Sequence, residues 1–135
     1  MIGLDTNVLV RYLTQDDPKQ AALAARVIDE ELSIVEPGFI SLVVLVETYW
    51  VLKRLYSASG DELLAAVEDL LRMPRFHLDR RDVVAAAVQF MRADQGAKAG
   101  FVDVLIAQLA AVQGCSRTVT FDKAAVWSAG MVLLA

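Results

Sequence analysis

Residues 1–13 read MIGLDTNVLVRYL, an apolar run that meets one acid, Asp5, and then turns apolar again. Ile2 to Leu4 read as a short buried strand. Residues 7–13 read as a helix, with Asp5 or Thr6 near its cap. The stretch therefore predicts a strand that runs straight into a helix, with a carboxylate at the junction. In parallel α/β sheets, ligands sit beyond the carboxyl ends of the strands, which is where this junction falls.

The same alternation continues along the chain. Asp17-Pro18 starts a helix that runs to about Glu31, with Asp as cap and Pro in the first turn. Phe39 to Ser41 reads as a strand and Leu42 to Tyr56 as a strongly apolar helix. SGDE at residues 59–62 resembles a capping box before a helix over Asp61 to Met73. Phe76 to Leu78, RTVTF at 117–121 and MVLL at 131–134 read as strands, and residues 80–94 and 101–113 as helices. Short apolar strands alternating with longer helices predict an α/β sandwich with a mainly parallel sheet. No linker, repeat or low-complexity tract divides the chain, so a single domain over residues 1–135 is expected. Parallel strands would put Asp5 and Asp122 on the same rim.

Hydrophobic residues make up 56% of the chain and the mean hydropathy is +0.46. That implies a generous core or apolar surface kept for a partner. The two most apolar stretches, residues 37–52 and 101–116, each contain an acid. Neither reaches the roughly 18 uninterrupted apolar residues of a membrane span. The first residues lack the basic start of a signal peptide, so a cytoplasmic protein is expected. A single cysteine, Cys115, permits no intrachain disulfide and suits a reducing compartment. It is expected to be a small, half-buried residue after Gly114. The net charge of −4, from 13 basic and 17 acidic residues, argues against strong nonspecific nucleic-acid binding unless some acids hold a cation.

Four acids stand in apolar company. Asp5 is the only charged side chain before Arg11, and Glu47 the only one between Glu36 and Lys53. Asp103 is the only one between Lys98 and Arg117, and Asp122 directly follows TVTF. At helical spacing the neighbours of Glu47 are Val43, Val44, Trp50 and Val51. Those of Asp103 are Ala99, Gly100, Ile106 and Ala107. Each acid has a structural reading: caps or turns for Asp5 and Asp122, an ion pair with Arg54 for Glu47, backbone donors for Asp103. Together they are harder to explain that way. An ionised carboxylate is rarely buried unless paired or metal-bound, and no uninterrupted apolar segment supplies a Lys or Arg. An all-oxygen set without His or Cys favours Mg²⁺ or Mn²⁺ over zinc, and such a site suits phosphodiester chemistry. Setting these four acids aside leaves acids and bases equal in number. The lone His77, in RFHLD, reads as structural rather than as a general base.

IGLDTNVLVRYL, LVVLVETYWVLKRLY, GFVDVLIAQLAAVQG and TVTFDKAA occur in this order and together resemble a PIN domain, in particular a VapC-like toxin of a toxin–antitoxin pair. The resemblance implies a three-layer α/β/α sandwich around a mainly parallel sheet and a Mg²⁺- or Mn²⁺-dependent endoribonuclease. It carries over Asp5, Glu47, Asp103 and Asp122 as the acidic quartet, both metal-binding and catalytic. Thr6, Asn7 and Thr120 match polar positions that flank the family's site, though cap and turn chemistry explains them equally. The resemblance also implies a homodimer and a cognate antitoxin, whose tail would lie near the helix carrying Tyr49 and Trp50. Core packing is the alternative for one of those two. Many relatives carry a further Asp where this chain has Gly100, so a fifth carboxylate is absent.

For RNA backbone contacts, Lys123 beside Asp122 is the first candidate among Arg11, Lys53, Arg54, Lys98, Arg117 and Lys123. Two rival readings remain open at this level. One is a non-toxin metal-dependent nuclease or phosphoesterase of the same fold; the other is a non-catalytic PIN-like binding module, which would be expected to have lost acids.

Overall fold

The computed structural model describes residues 1–93 and 100–135. They form two compact units, Met1–Arg81 and Asp82–Ala135.

In the first unit, β1 (Ile2–Gly3) leads into α1 (Thr6–Thr14) and α2 (Pro18–Ala25). β2 (Gly38–Ile40) follows, then α3 (Leu42–Leu55), α4 (Gly60–Arg72) and β3 (Phe76–Leu78). The strands pair in parallel in the order β1-β2-β3, with Ile2 opposite Gly38 and Gly38 opposite Phe76. Helices must therefore carry the chain back between strands, as the alternating pattern predicts. Fully buried Leu9, Ile28, Ile40, Leu70 and Phe76 anchor the core. Gly38 lies where a Cβ would come within 2.7 Å of Leu32 Cδ1 and 2.8 Å of Leu4 Cδ1, so its missing side chain admits the leucines that cover the strand.

Caps fix where these helices begin. Asp17 accepts from the Gln20 N–H at 3.0 Å with Pro18 in the first turn, and Ser41 accepts from the Val44 N–H at 3.2 Å. Ser59 and Glu62 complete the capping box foreseen in SGDE. The helix expected to run to Glu31 does so, but its last six residues, Arg26–Glu31, are wound as a π-helix, with the Leu32 N–H donating to the Val27 carbonyl at 3.0 Å.

In the second unit, α5 (Arg81–Ala93), whose first residue belongs to the first unit, is followed by α6 (Phe101–Val112). β4 (Val119–Thr120), α7 (Lys123–Ala129) and β5 (Val132–Leu133) complete it. β4 and β5 form a second parallel pair, Val119 opposite Val132, bridged by α7. Val84, Phe101, Val104 and Leu105 are buried.

The α/β class with parallel strands is as expected. Other details differ. Ile2 and Gly3 of β1 are exposed where a buried strand is expected, and only Leu4 after them is buried. Of RTVTF only Val119 and Thr120 pair, and of MVLL only Val132 and Leu133. α7 was not anticipated; at seven residues, its helical signal is short and follows a β-rich run, although Asp122 caps its start and Gly130, at φ 71°, its end. Cys115 is exposed rather than half-buried; it lies beyond the end of α6, after Gly114 at φ 93°, where no described helix packs it against the core. Asp94, Lys98 and Ala99, which figured in the sequence reading, lie outside the described residues. No helix among the described residues is long and apolar enough to cross a membrane.

Candidate functional site

β1 and β2 are parallel, so the helices that follow them start at the same end of the sheet. This topology brings Asp5 and Glu47 together. Asp5 is the N-cap of α1, its Oδ1 accepting from the Thr6 N–H at 2.7 Å. Glu47 lies in the second turn of α3. The two carboxylates line one cleft of about 330 Å³ between α1 and α3, together with Thr6, Asn7, Arg11 and Tyr56.

Thr6 connects the two acids. Only 7% exposed, it gives its backbone N–H to Asp5 Oδ1 and its hydroxyl hydrogen to Glu47 Oε1. One oxygen of each carboxylate is thereby held in place, and the second oxygen of each has no hydrogen-bond partner among the described residues. Buried hydroxyls keep such bonds because an unmade one is costly. The same helix start favours negative charge beside it. We expect Thr6→Val, which removes the hydroxyl at nearly constant shape, to lower activity by about 10–100-fold, the usual cost of freeing a ligand from its orienting partner. Thr6→Ser should restore most of it. Initial rates for the three chains check this; equal rates would leave Thr6 a cap neighbour alone.

Asp103 and Asp122 belong to the second unit. Asp103 is half-buried in the first turn of α6, whose N-cap, Gly100, offers no side-chain cap. Asp122 caps α7 by accepting from the Ala124 N–H at 2.9 Å, and its own N–H donates to Thr120 Oγ1 at 3.0 Å. Lys123 is exposed at the first position of α7. Thus Thr120 serves the turn before α7, and three of the four acids sit at or within the first turn of a helix.

The acids are less buried than their apolar flanks suggested: Asp5, Glu47 and Asp122 are exposed and Asp103 half-buried. Strand ends and helix starts carry side chains out of the core even when the flanking sequence is apolar. Glu47 shares its helix face with exposed Val43 and Trp50 rather than with core residues, and it takes Thr6 rather than Arg54 as its partner. Among the described residues, no three His, Cys, Asp or Glu side chains converge as a metal cage. Asp5 and Glu47, lining one cleft, carry the hard oxygen donors that Mg²⁺ or Mn²⁺ prefers.

Arg11, Asp16 and Tyr56 form a network at this cleft. Arg11 Nη1 donates to Tyr56 Oη at 3.1 Å and to Asp16 Oδ1 at 3.2 Å, and the Tyr56 hydroxyl donates to Asp16 Oδ2 at 2.6 Å. The Tyr56 bond holds the exposed Asp16 carboxyl below its ordinary pKa. Sequence reading named Arg11 but missed Asp16 and Tyr56. The one hint was a second acid before Pro18 where Asp17 alone suffices as the cap. On α3, Tyr49 is buried, whereas Trp50 is exposed with Lys53 Nζ 5.0 Å and Arg54 Cζ 5.1 Å from its ring centroid. Core packing thus explains one of the pair, as expected. His77 is exposed on β3 with its ring 5.9 Å from that of Phe39, consistent with its structural reading.

The PIN domain family model matches residues 2–126, nearly the whole chain. The chain belongs to the PIN-domain family, whose members are generally metal-dependent nucleases. No match was found among curated proteins or among solved structures.

Proposed function

We propose that the chain is a metal-dependent endoribonuclease, the toxin of a toxin–antitoxin pair, acting as one nuclease domain over residues 1–135. The observation that carries this reading is the pairing of Asp5 with Glu47, 42 positions away in sequence, across one cleft with an oxygen of each unpartnered among the described residues. Asp5, Glu47, Asp103 and Asp122 would hold Mg²⁺, or Mn²⁺ in its place. Such an ion, when bound, polarises a phosphoryl oxygen and lowers the pKa of water. Of the chain's own residues, Thr6 would orient the Asp5 and Glu47 carboxylates toward the ion, and Asp103 and Asp122 would be its further ligands. Lys123, adjacent to Asp122, would contact the RNA backbone.

Large apolar side chains left in water support protein partners. Val43 and Leu55 on α3, Phe121, and Trp127 on α7 are each more than three-quarters exposed. A second copy of the chain and a cognate antitoxin are the occupants this reading assigns to them, with Trp50 near the antitoxin's path. The test is cleavage of RNA by the purified chain with Mg²⁺ or Mn²⁺, with EDTA, and with Asp103→Asn as control. Cleavage that needs the ion and is lost in the variant supports the proposal. A folded chain that binds the ion yet cuts no RNA would point to another phosphoester or to a binding module.

A further inference from the structure

Two clefts flank α1, and the second has no role in the reading above. It lies between α1 and α2, holds about 280 Å³, and is walled by Val8, Leu23, Ala24 and Val27. Asn7 and Arg11, one turn apart on α1, line both clefts. α1 is therefore a ridge with an acidic cleft on one side, an apolar cleft on the other, and an amide and a guanidinium shared between them.

Arg11 is held there by more bonds than its charge alone requires. Its Nε donates to Gln20 Oε1 at 2.7 Å, on the α2 side, and its Nη1 bonds Tyr56 and Asp16. Asp16 is itself fixed by Tyr56 and by the Thr14 hydroxyl at 3.0 Å. Nη2 has no hydrogen-bond partner among the described residues. A guanidinium immobilised before its ligand arrives loses less freedom on binding, and its fork suits a phosphate.

We propose that the α1–α2 cleft takes a nucleobase of the RNA strand, with Arg11 on the phosphate that joins this nucleotide to the one in the Asp5–Glu47 cleft. The proposal rests on the nuclease reading and deepens it. Sequence-specific RNA recognition works on unstacked bases, whose faces need apolar walls and whose edges need hydrogen-bonding groups. Val8, Leu23, Ala24 and Val27 supply the walls. Asn7, with an acceptor and two donors, and Gln20 supply the edge contacts. Among the described residues Arg11 is the only cation lining either cleft, and it stands where a strand passing from one cleft to the other must cross α1.

The test uses the full chain in EDTA, so that cleavage does not compete, titrated with single-stranded dodecamers of A, C or U. Methyl NMR reads the place of binding and fluorescence anisotropy reads its strength. We expect shifts of the Leu23, Ala24 and Val27 methyls that differ among the three RNAs. Arg11→Gln should weaken binding about 10-fold and lower the slope of log affinity against log salt by about 0.7, one single-strand phosphate contact. Leu23→Trp, at an exposed position, fills the apolar side of the cleft and keeps the Arg11 guanidinium in the chain; it should remove the difference among the RNAs while the chain stays folded. RNA that binds with shifts confined to the α1–α3 cleft, or equally well to both variants, overturns the subsite and leaves the nuclease reading intact. Methyl shifts that appear only with a protein partner overturn it too and assign the cleft to that partner. An unvaried chain that binds none of the RNAs removes the nuclease reading, and the subsite with it.

Discussion

Asp5→Asn is expected to fold as the unvaried chain does and to cut RNA at least about 10³-fold more slowly, a loss at the upper end of that for removing one preorganised electrostatic group. The two halves of this expectation separate because Asp5 has two jobs. As N-cap of α1 it needs only an oxygen to accept the Thr6 N–H, and Asn is as good a cap as Asp. As an ion ligand it needs its charge, which Asn lacks. Initial rates in Mg²⁺, with thermal unfolding measured on the same preparations, decide the matter. A rate near that of the unvaried chain would return Asp5 to a purely structural cap. Lost activity with a large fall in melting temperature would mean that the cap, not the charge, had been disturbed. In cells the same substitution should relieve growth arrest if the chain is a toxin, and leave antitoxin binding in place.

That one residue serves both roles explains why the site was partly legible in the sequence. Charges isolated in apolar runs are conspicuous, and Asp5 and Glu47 were found that way. Their apolar flanks imply burial, whereas the acids project from a strand end and an outer helix face. The network around Arg11 was not legible. Asp16 and Tyr56 are 40 residues apart and each is unremarkable among its neighbours; only the fold brings them onto one guanidinium. The helices were read more closely than the strands for a related reason. Caps such as Ser59 and Asp17 are local and leave sequence marks, while pairing depends on a partner strand far away. RTVTF has strand-forming residues throughout, yet β5 supplies pairing only for Val119 and Thr120.

Phe76→Ala tests the scaffold beneath the cleft and is expected to cost about 3–5 kcal/mol, the usual range for truncating a buried aromatic. That is a large share of the roughly 5–15 kcal/mol by which a domain is stable. Phe76 is 2% exposed at the start of β3, opposite Gly38 of β2. The glycine has no side chain to move into the space, and Leu4 and Leu32 already occupy its open face. The cavity therefore cannot collapse readily, which places the cost toward the upper end. The effect reaches the cleft because β2 leads through Ser41 directly into α3, which carries Glu47, while β1 on its other side leads through Leu4 to Asp5. Loosening β2 shifts one carboxylate against the other, so activity should fall at temperatures below the onset of global unfolding. Denaturant unfolding followed by a midpoint shift at unchanged slope gives the cost. The neighbouring His77→Ala, at an exposed position of the same strand, should cost less than about 1 kcal/mol. Equal costs for the two would mean that β3 does not alternate between core and surface as the fold requires.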